Sequence, residues 1–311
     1  MVSTEPQFQN VFVGFLGSDE HGCIRGIALK CFFVSDLHGM VQKYDMLFDK
    51  VIEESPNAVF LGGDILPSGF GTVMDIEEFL EDVLFAGVRR VKESCGDIRF
   101  FVIMGNDDPR YYEHHLVKAD SAGLVDYVHG RVVEFEDLFV VGYSFVPPTP
   151  FQLKDWERYD VSRFIDVGAV SPEEGSRTVD VPKNEIRFGT ISEDLQELGK
   201  LSPPERTIYL FHSPPYDSCL DMMDLGGRMI NHAPVDVHVG SIAIQRFILE
   251  RRPFLTLHGH IHESPRLSGS WREQRENTFS FSGAHDGAEL AIVRFDTDDL
   301  SVASRDLVVR D

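Results

Sequence analysis

Seven residues in five short motifs could do chemistry in this chain: Asp36-Leu-His38, Gly63-Asp64, Gly105-Asn106, His212 and His260-Ile-His262. Together they offer two carboxylates, one side-chain amide and four imidazoles, the ligand complement of two neighbouring divalent cations rather than one. In Asp36-Leu37-His38 the polar residues stand two apart, so in extended chain both point to one face while Leu37 points into the core. His260-Ile261-His262 repeats that device, although at a strand end a small twist can send its two imidazoles to different cations. The two oxygens of Asp64 suit it to bridge a metal pair. Mixed oxygen and nitrogen ligation without thiolate suits Mn²⁺, Fe or Zn²⁺, and softness alone does not choose among them. Two cations about 3.5 to 4 Å apart generate hydroxide at neutral pH and clamp the attacking and leaving oxygens of an in-line displacement, so hydrolysis at phosphorus is the leading expectation.

Each motif alone has a plainer use. An Asp after a strand caps a helix, Gly-Asn makes a turn, and a lone histidine such as His212 is commonly half-buried and hydrogen-bonded. What outweighs these readings is their joint occurrence, in order, at the ends of strands. Ala28 to Val34 is apolar and ends at Ser35-Asp36, a helical pattern runs from Gln42 to Glu54, and Ala58 to Leu61 reads as a second buried strand. This is a βαβ unit. Ile76 to Val91 repeats the helix and Arg99 to Met104 the strand. The fold class is therefore α/β, and parallel strands bring Asp36, Asp64 and Asn106 to one edge. Arg131 to Phe135 and Leu138 to Phe145 form a hairpin and imply a second sheet. Thr207 to Phe211 and Phe254 to Leu257 read as strands around a helix at Ile242 to Glu250. Three antiparallel strands are expected at Thr278 to Ser282, Ala288 to Phe295 and Val302 to Val309. Residues 151 to 205, charged and weakly periodic, read as a cap or lid inserted into one domain spanning 1 to 311, with some helix near Ile191 to Leu198.

Lys and Arg total 29 against 51 Asp and Glu, a formal charge of −22. Such a surface repels nucleic-acid backbone and anionic lipid, and no basic stripe marks a nuclease. A pair of divalent cations outweighs Asp36, Asp64 and a bridging hydroxide, so the site itself stays positive. Beyond about 8 Å, salt screens the surface from it. Cys23, Cys31, Cys95 and Cys219 show no metal or disulfide spacing. Residues 1 to 10 lack a basic and then apolar leader, and no run of about 18 apolar residues occurs. A cytoplasmic protein with no membrane span is expected, and self-association is left open.

The order D-x-H, GD, GN, H, GHxH resembles the calcineurin-like metallophosphoesterase family over roughly residues 30 to 285. Phe211-His-Ser-Pro-Pro-Tyr216, His238-Val-Gly-Ser-Ile-Ala243 and Leu257-His-Gly-His-Ile-His-Glu-Ser264 are similar to its small prokaryotic-type members. The resemblance implies a four-layer αββα sandwich, two mixed sheets flanked by helices. It also implies one metal on Asp36, His38, Asp64 and His262, a second on Asp64, Asn106, His212 and His260, and a metal-bridging hydroxide as nucleophile. One departure stands out: the family's third motif usually reads GNH, whereas Gly105-Asn106 here precedes Asp107-Asp108. The usual proton donor is missing.

Asp107 then becomes a candidate catalytic group, beside Asn106 and His212, if like-charge repulsion raises its pKa. His114, His115 and His285 are substitute donors. Arg110 could grip a phosphate oxygen or pair with a surface carboxylate. Asn106 and His238 complete the substrate contacts, His238 lying in a segment with Met222, Met223, Met229, Asn231 and His232 that forms a wall of the site. Trp156, Trp271 and Tyr159 are candidates to stack a base. The expected function is hydrolysis of a small phosphodiester or nucleotide-type phosphoester. The alternative is a metal-binding, weakly active scaffold of the same fold.

Overall fold

Six parallel strand pairings hold the molecule's two sheets in register, and they decide where every motif ends up. The structure, a computed structural model, describes residues 28–68, 74–224, 226, 229–230, 233–234 and 236–310. Its strands are β1 (Lys30–Val34), β2 (Ala58–Gly62), β3 (Arg99–Ile103), β4 (Asp126–Tyr127), β5 (Val132–Phe135), β6 (Leu138–Tyr143) and β7 (Thr207–Phe211). There follow a short ladder of β8 (Met229–Ile230) and β9 (Ala233–Pro234), then β10 (Leu255–His258), β11 (Arg272–Arg275), β12 (Thr278–Ser282), β13 (Leu290–Asp296) and β14 (Ser304–Val308). One six-stranded sheet runs β14-β13-β1-β2-β3-β4 and the other β11-β12-β10-β7-β6-β5. In each, four neighbouring strands are parallel and the antiparallel members stand outside them.

Strands buried on both faces are near-continuously apolar because helices cover the face that the opposing sheet does not. In β2, Ala58 and Phe60 face the layer between the sheets, with Phe33, Phe101, Leu210, Leu257 and Phe281. Val59 and Leu61 face the helical layer. The rings of Phe60 and Phe101 stack at 5.0 Å across neighbouring strands. Outside the first sheet the helix Val41–Glu54 presents Phe48 to Phe100, and outside the second Ile242–Arg251 presents Phe247 to Tyr209. The result is helix, sheet, sheet, helix: the four-layer sandwich.

The expected antiparallel trio at the C-terminal end is corrected in one member. Thr278–Ser282 joins the second sheet parallel to β10, while β13 and β14 extend the first. Alternation marks a strand but not its direction, and the polar edge strand β11, Arg-Glu-Gln-Arg, gave no apolar signal. The helix expected over 76–91 reaches Cys95, with a π-helical stretch at Leu80–Phe85 inside it.

Residues 151–205 are tied to the body at several points. The Asp160 carboxylate accepts from Ile242 N at 2.7 Å and Ser241 Oγ at 2.5 Å, capping the helix Ile242–Arg251 from another segment. Arg158 donates to Asp194 and Glu185, Lys154 and Glu157 form a fully buried ion pair, and Ile191–Leu198 is helical as its spacing predicts. Trp156 and Tyr159 are buried and Trp271 packs on Phe281 at 5.5 Å. Core packing has taken these rings, which removes them as base-stacking platforms. Cys31, Cys95 and Cys219 are free thiols, while Cys23, Asn231 and His232 lie outside the described residues.

His129 packs edge-on to Trp156 at 4.8 Å, and its Nδ1 accepts from Ser144 N at 3.0 Å. Burial, reinforced by Arg110 and Arg158, pushes its pKa down to about 3 from an ordinary 6.5. The unfolded chain thus takes up a proton that the native state refuses. The stability this group contributes is complete above pH 6.5 and is lost as pH falls towards 3, by up to about 1.4 kcal/mol per pH unit. Urea unfolding of His129→Gln should show a flatter acid slope by up to one proton. A slope equal to that of the native chain would refute the assignment.

Candidate metal centre

The carboxyl ends of β1, β2, β3, β7 and β10, drawn from both sheets, meet at one edge, and each is followed within a few residues by one of the five motifs. The turns after β1 and β2 run side by side, with Asp36 N donating to Gly63 O at 3.0 Å and His38 N to Asp64 O at 2.8 Å. Contacts between the sheets close the site. His212 Nδ1 donates to Gly62 O at 2.8 Å, and His260 N donates to both oxygens of Asp36 at 3.0 and 3.1 Å.

The backbone is bent sharply to achieve this. Asp36, His38, Asp64 and His260 have φ of 58°, 45°, 50° and 72°, a left-handed region that non-glycine residues rarely occupy and that clusters at functional sites. The glycines of the motifs leave room for the side chains. A Cβ on Gly105 would lie 2.3 Å from Asp64 Oδ1 and 2.6 Å from His212 Cε1, and one on Gly259 would lie 2.7 Å from Asp36 Oδ2.

Two groups of donor atoms result. Asp36, His38, Asp64 and His262 offer atoms all within 4.8 Å of one another, as do Asp64, His212 and His260, and Asp64 belongs to both. Asn106 joins the second group, its Oδ1 standing 3.1 Å from His212 Nε2. Because His212 Nδ1 carries the hydrogen given to Gly62, Nε2 of the neutral ring has only a lone pair. That lone pair faces Asn106 Oδ1 and, at 3.3 Å, Asp64 Oδ2. In the first group His38 Nε2 and His262 Nε2 approach to 3.2 Å, and His262 Nε2 lies 3.4 Å from Asp36 Oδ1. Acceptors aimed at one another repel unless a proton or a cation lies among them, so this donor set fits metal ions.

The titration of the site says the same. Burial opposes charge on Asp36, yet the hydrogen bond from His262 and the charges of His262, His212 and His38 hold its carboxyl well below the usual range. Burial likewise opposes charge on His212 and His262, but Asp64 pushes the first up to about 10 and Asp36 the second up to about 9. His260, buried beside His212, is pushed down to about 3. Cations bound there would meet the same carboxylates that favour the charged rings, since metal binding displaces protons from such ligands.

Asp107 stands at the mouth. Its N donates to Asp64 Oδ1 at 2.8 Å, its Oδ1 accepts from Asn106 Nδ2 at 3.0 Å, and burial followed by the charge of Asp64 raises its pKa. Arg110 is engaged elsewhere, with Nε on Glu113 at 3.0 Å and its guanidinium 4.9 Å over Trp156. His114 bonds to Tyr111 O and His285 to Glu289, and with His115 they lie outside both donor groups. His238 is half-buried on Asp221. Asp108 was missed as a positioning residue. Fully buried, it accepts from Ile65 N, Leu66 N and Gly105 N at 3.1, 2.7 and 2.8 Å, so it locks the turns after β2 and β3 together. Burial and Asp64 push its pKa up to about 8 against those donors. The signal available was its place two residues after Asn106, but the backbone it grips lies 42 and 43 positions away.

Two mixed six-stranded sheets between helices, with both sheets feeding one edge, define a metallophosphoesterase-type sandwich. Residues 29–264 match the family model of calcineurin-like phosphoesterases, and the chain belongs to that family. Among curated proteins none matches. Several solved structures share the fold. One is 14% identical with a TM-score of 0.57 over 91% of this chain and all of its own. The Thermus thermophilus protein TT1561 is 13% identical with a TM-score of 0.51 over the same shares. At these identities the likeness is one of fold alone.

Gly105→Ala tests how closely the donors depend on backbone approach. The methyl group meets Asp64 Oδ1, Asp64 N and His212 Cε1 inside contact distance. We expect a loss of about 1–3 kcal/mol in urea unfolding from overpacking, together with a bound-metal content well below that of the native chain by elemental analysis. Full metal loading in the variant would refute this dependence.

Proposed function

We propose that the chain is a hydrolase of phosphoric esters whose seven motif residues hold two divalent cations: Asp36, His38, Asp64 and His262 one, and Asp64, Asn106, His212 and His260 the other. The observation that carries this reading is Asp64, a buried carboxylate shared by two groups of donors whose lone pairs face each other. When bound, such a pair of cations supplies a water of lowered pKa and charge to match the phosphoryl oxygens. The chain's own part is positioning. Gly62 O fixes His212 in the tautomer that presents Nε2, Asp36 fixes the turn carrying His260, and Asp108 holds the turns carrying Asp64 and Asn106.

Mn²⁺ is the preferred metal of this reading, with Fe, Zn²⁺ or Ni²⁺ as substitutes. The substrate is a small phosphodiester or nucleotide-type phosphoester, bound with help from Asn106 and Asp107, in a single domain whose residues 151–205 form a cap. The excess of acidic residues disfavours a polynucleotide. Among the described residues no helix is long and apolar enough to cross a membrane, and the free thiols accord with a reducing, cytoplasmic setting.

The test is metal content after gentle purification, followed by hydrolysis of bis-p-nitrophenyl phosphate with and without Mn²⁺. We expect close to two ions per chain, turnover restored by Mn²⁺ after chelation, and a drop on the order of 10³ for Asp64→Asn. Two ions without turnover would instead favour a metal-bound scaffold, and no retained metal would end both readings.

A further inference from the structure

Outside the donor groups, the loop that follows His212 contains a second arrangement of acid and base. Asp221 is fully buried, and its carboxylate accepts five hydrogen bonds: from Asp217 N and Gly240 N on Oδ2, both at 3.1 Å, and from Ser218 N, Ser218 Oγ and His238 Nδ1 on Oδ1, at 3.0, 3.2 and 2.7 Å. A carboxylate so surrounded by donors is an acceptor, so the hydrogen on the shortest of these bonds belongs to His238 Nδ1. The tautomer is thereby fixed. Nε2 becomes the titrating atom, on a side chain 24% exposed.

The loop is stitched to the candidate metal centre on two sides. Pro215, three residues after His212, bridges to Ser241, and Tyr216 N donates to Ser241 O at 3.0 Å. Met222 bridges antiparallel to His238, and Met222 N donates at 3.0 Å to the hydroxyl of Ser264, two residues after His262. His238 is therefore carried on backbone tied to the turns that follow His212 and His262.

We propose that His238, oriented by Asp221, is the general acid that protonates the leaving-group oxygen, supplying what the missing third-motif histidine would otherwise provide. This rests on the phosphoesterase reading above. In the step, the attacking water gives one proton to solvent as its oxygen forms a bond to phosphorus, and the bond from phosphorus to the leaving oxygen breaks with its electron pair. The proton on His238 Nε2 passes to that oxygen. His238 is left neutral, still holding Asp221 through Nδ1, and is reprotonated from solvent. The groups facing the ring favour its acid form. Asp221 receives Nδ1, Asp217 Oδ1 lies 3.8 Å from Nε2, Asp236 receives the His238 backbone N at 3.0 Å, and Tyr216, itself bonded to Asp236, packs edge-on at 6.0 Å. Burial opposes the charge, but the Asp221 hydrogen bond followed by the charges of Asp221, Asp236 and Asp217 raises the pKa above the ordinary histidine value.

The experiment is a leaving-group series of phosphodiesters, from p-nitrophenyl to alkyl, with metal-loaded native chain, His238→Gln and His238→Gly, joined to nitrogen NMR of the imidazole. Expected are a shallow dependence on leaving-group pKa in the native chain and a steep one in both variants. kcat on the alkyl ester should fall about 10²–10⁴-fold while p-nitrophenyl turnover changes little, and added imidazole should rescue the glycine variant on poor leaving groups only. NMR should report Nδ1 protonated at every pH and Nε2 titrating. Equal losses across the series, no loss at all, a steep dependence already in the native chain, or a ring protonated on Nε2 when neutral would overturn the proposal. Native chain inert to every ester, with metal bound and the Nδ1 tautomer intact, would instead place the failure in the phosphoesterase reading and remove the acid role with it.

Discussion

Three carboxylates, those of Asp36, Asp64 and Asp108, are buried together at one edge of the sandwich, each no more than 2% exposed. Burying a charge is costly unless donors or counter-charges replace the lost water. Here the replacement comes from distant backbone. His260 N reaches Asp36 across 224 residues of sequence, Asp107 N reaches Asp64 across 43, and the N–H groups of Ile65 and Leu66 reach Asp108 across 43 and 42. Each carboxylate thus ties the turn after one strand to the turn after another. The groups suited to grip cations, or to support those that do, are also the cross-links that hold the strand ends together.

That dual role explains why the site needs two sheets. Asp36, Asp64 and Asn106 follow strands of one sheet, and His212, His260 and His262 follow strands of the other. Their separation is set by the aromatic layer between the sheets, where Phe33, Phe60, Phe101 and Phe281 are completely buried. Close-packed interiors transmit displacement rather than absorb it, so a shift in that layer becomes a shift between the two halves of each donor group. The left-handed conformations at Asp36, His38, Asp64 and His260 persist because the surrounding hydrogen bonds and packing leave those residues no alternative.

Much of this architecture was legible because burial on both faces writes itself as continuous apolar runs. β1, β2, β3 and β7 stood out with nearly their observed bounds, and with them the residues that follow each strand. Polar edges and long-range partners were not legible. β11 carries Arg272, Glu273, Gln274 and Arg275, so nothing apolar marked it, and the direction of β12 depended on a connection whose path alternation does not encode. Asp108 resembles any aspartate in a turn until Ile65 and Leu66 fold against it. Trp156 looked available for stacking, yet residues 151–205 bury it under Arg110 and against His129, through contacts no local pattern announces.

The substitution of two aspartates after Asn106 narrows where a proton for the leaving group can come from. Asp108 has both oxygens committed to backbone N–H groups and no exposed surface, so it has no route to substrate or solvent. Asp107 is open, but its Oδ1 holds Asn106, and cations bound to Asp64 and His38 would favour its anionic form and work against a proton stored there. A donor of ordinary strength must therefore sit far enough from the donor groups to keep its proton, yet on backbone tied to their turns. Among the described histidines, His258 is sealed between Ser213 O and Thr256 Oγ1 and pushed down to about 4 by burial, and His129 is enclosed by aromatic rings. His238 differs from both in having one nitrogen fixed by a buried carboxylate and the other side open. On the proposed reading Asp108 serves geometry, Asp107 stays beside the substrate, and the acid function moves to the loop between the two histidine motifs.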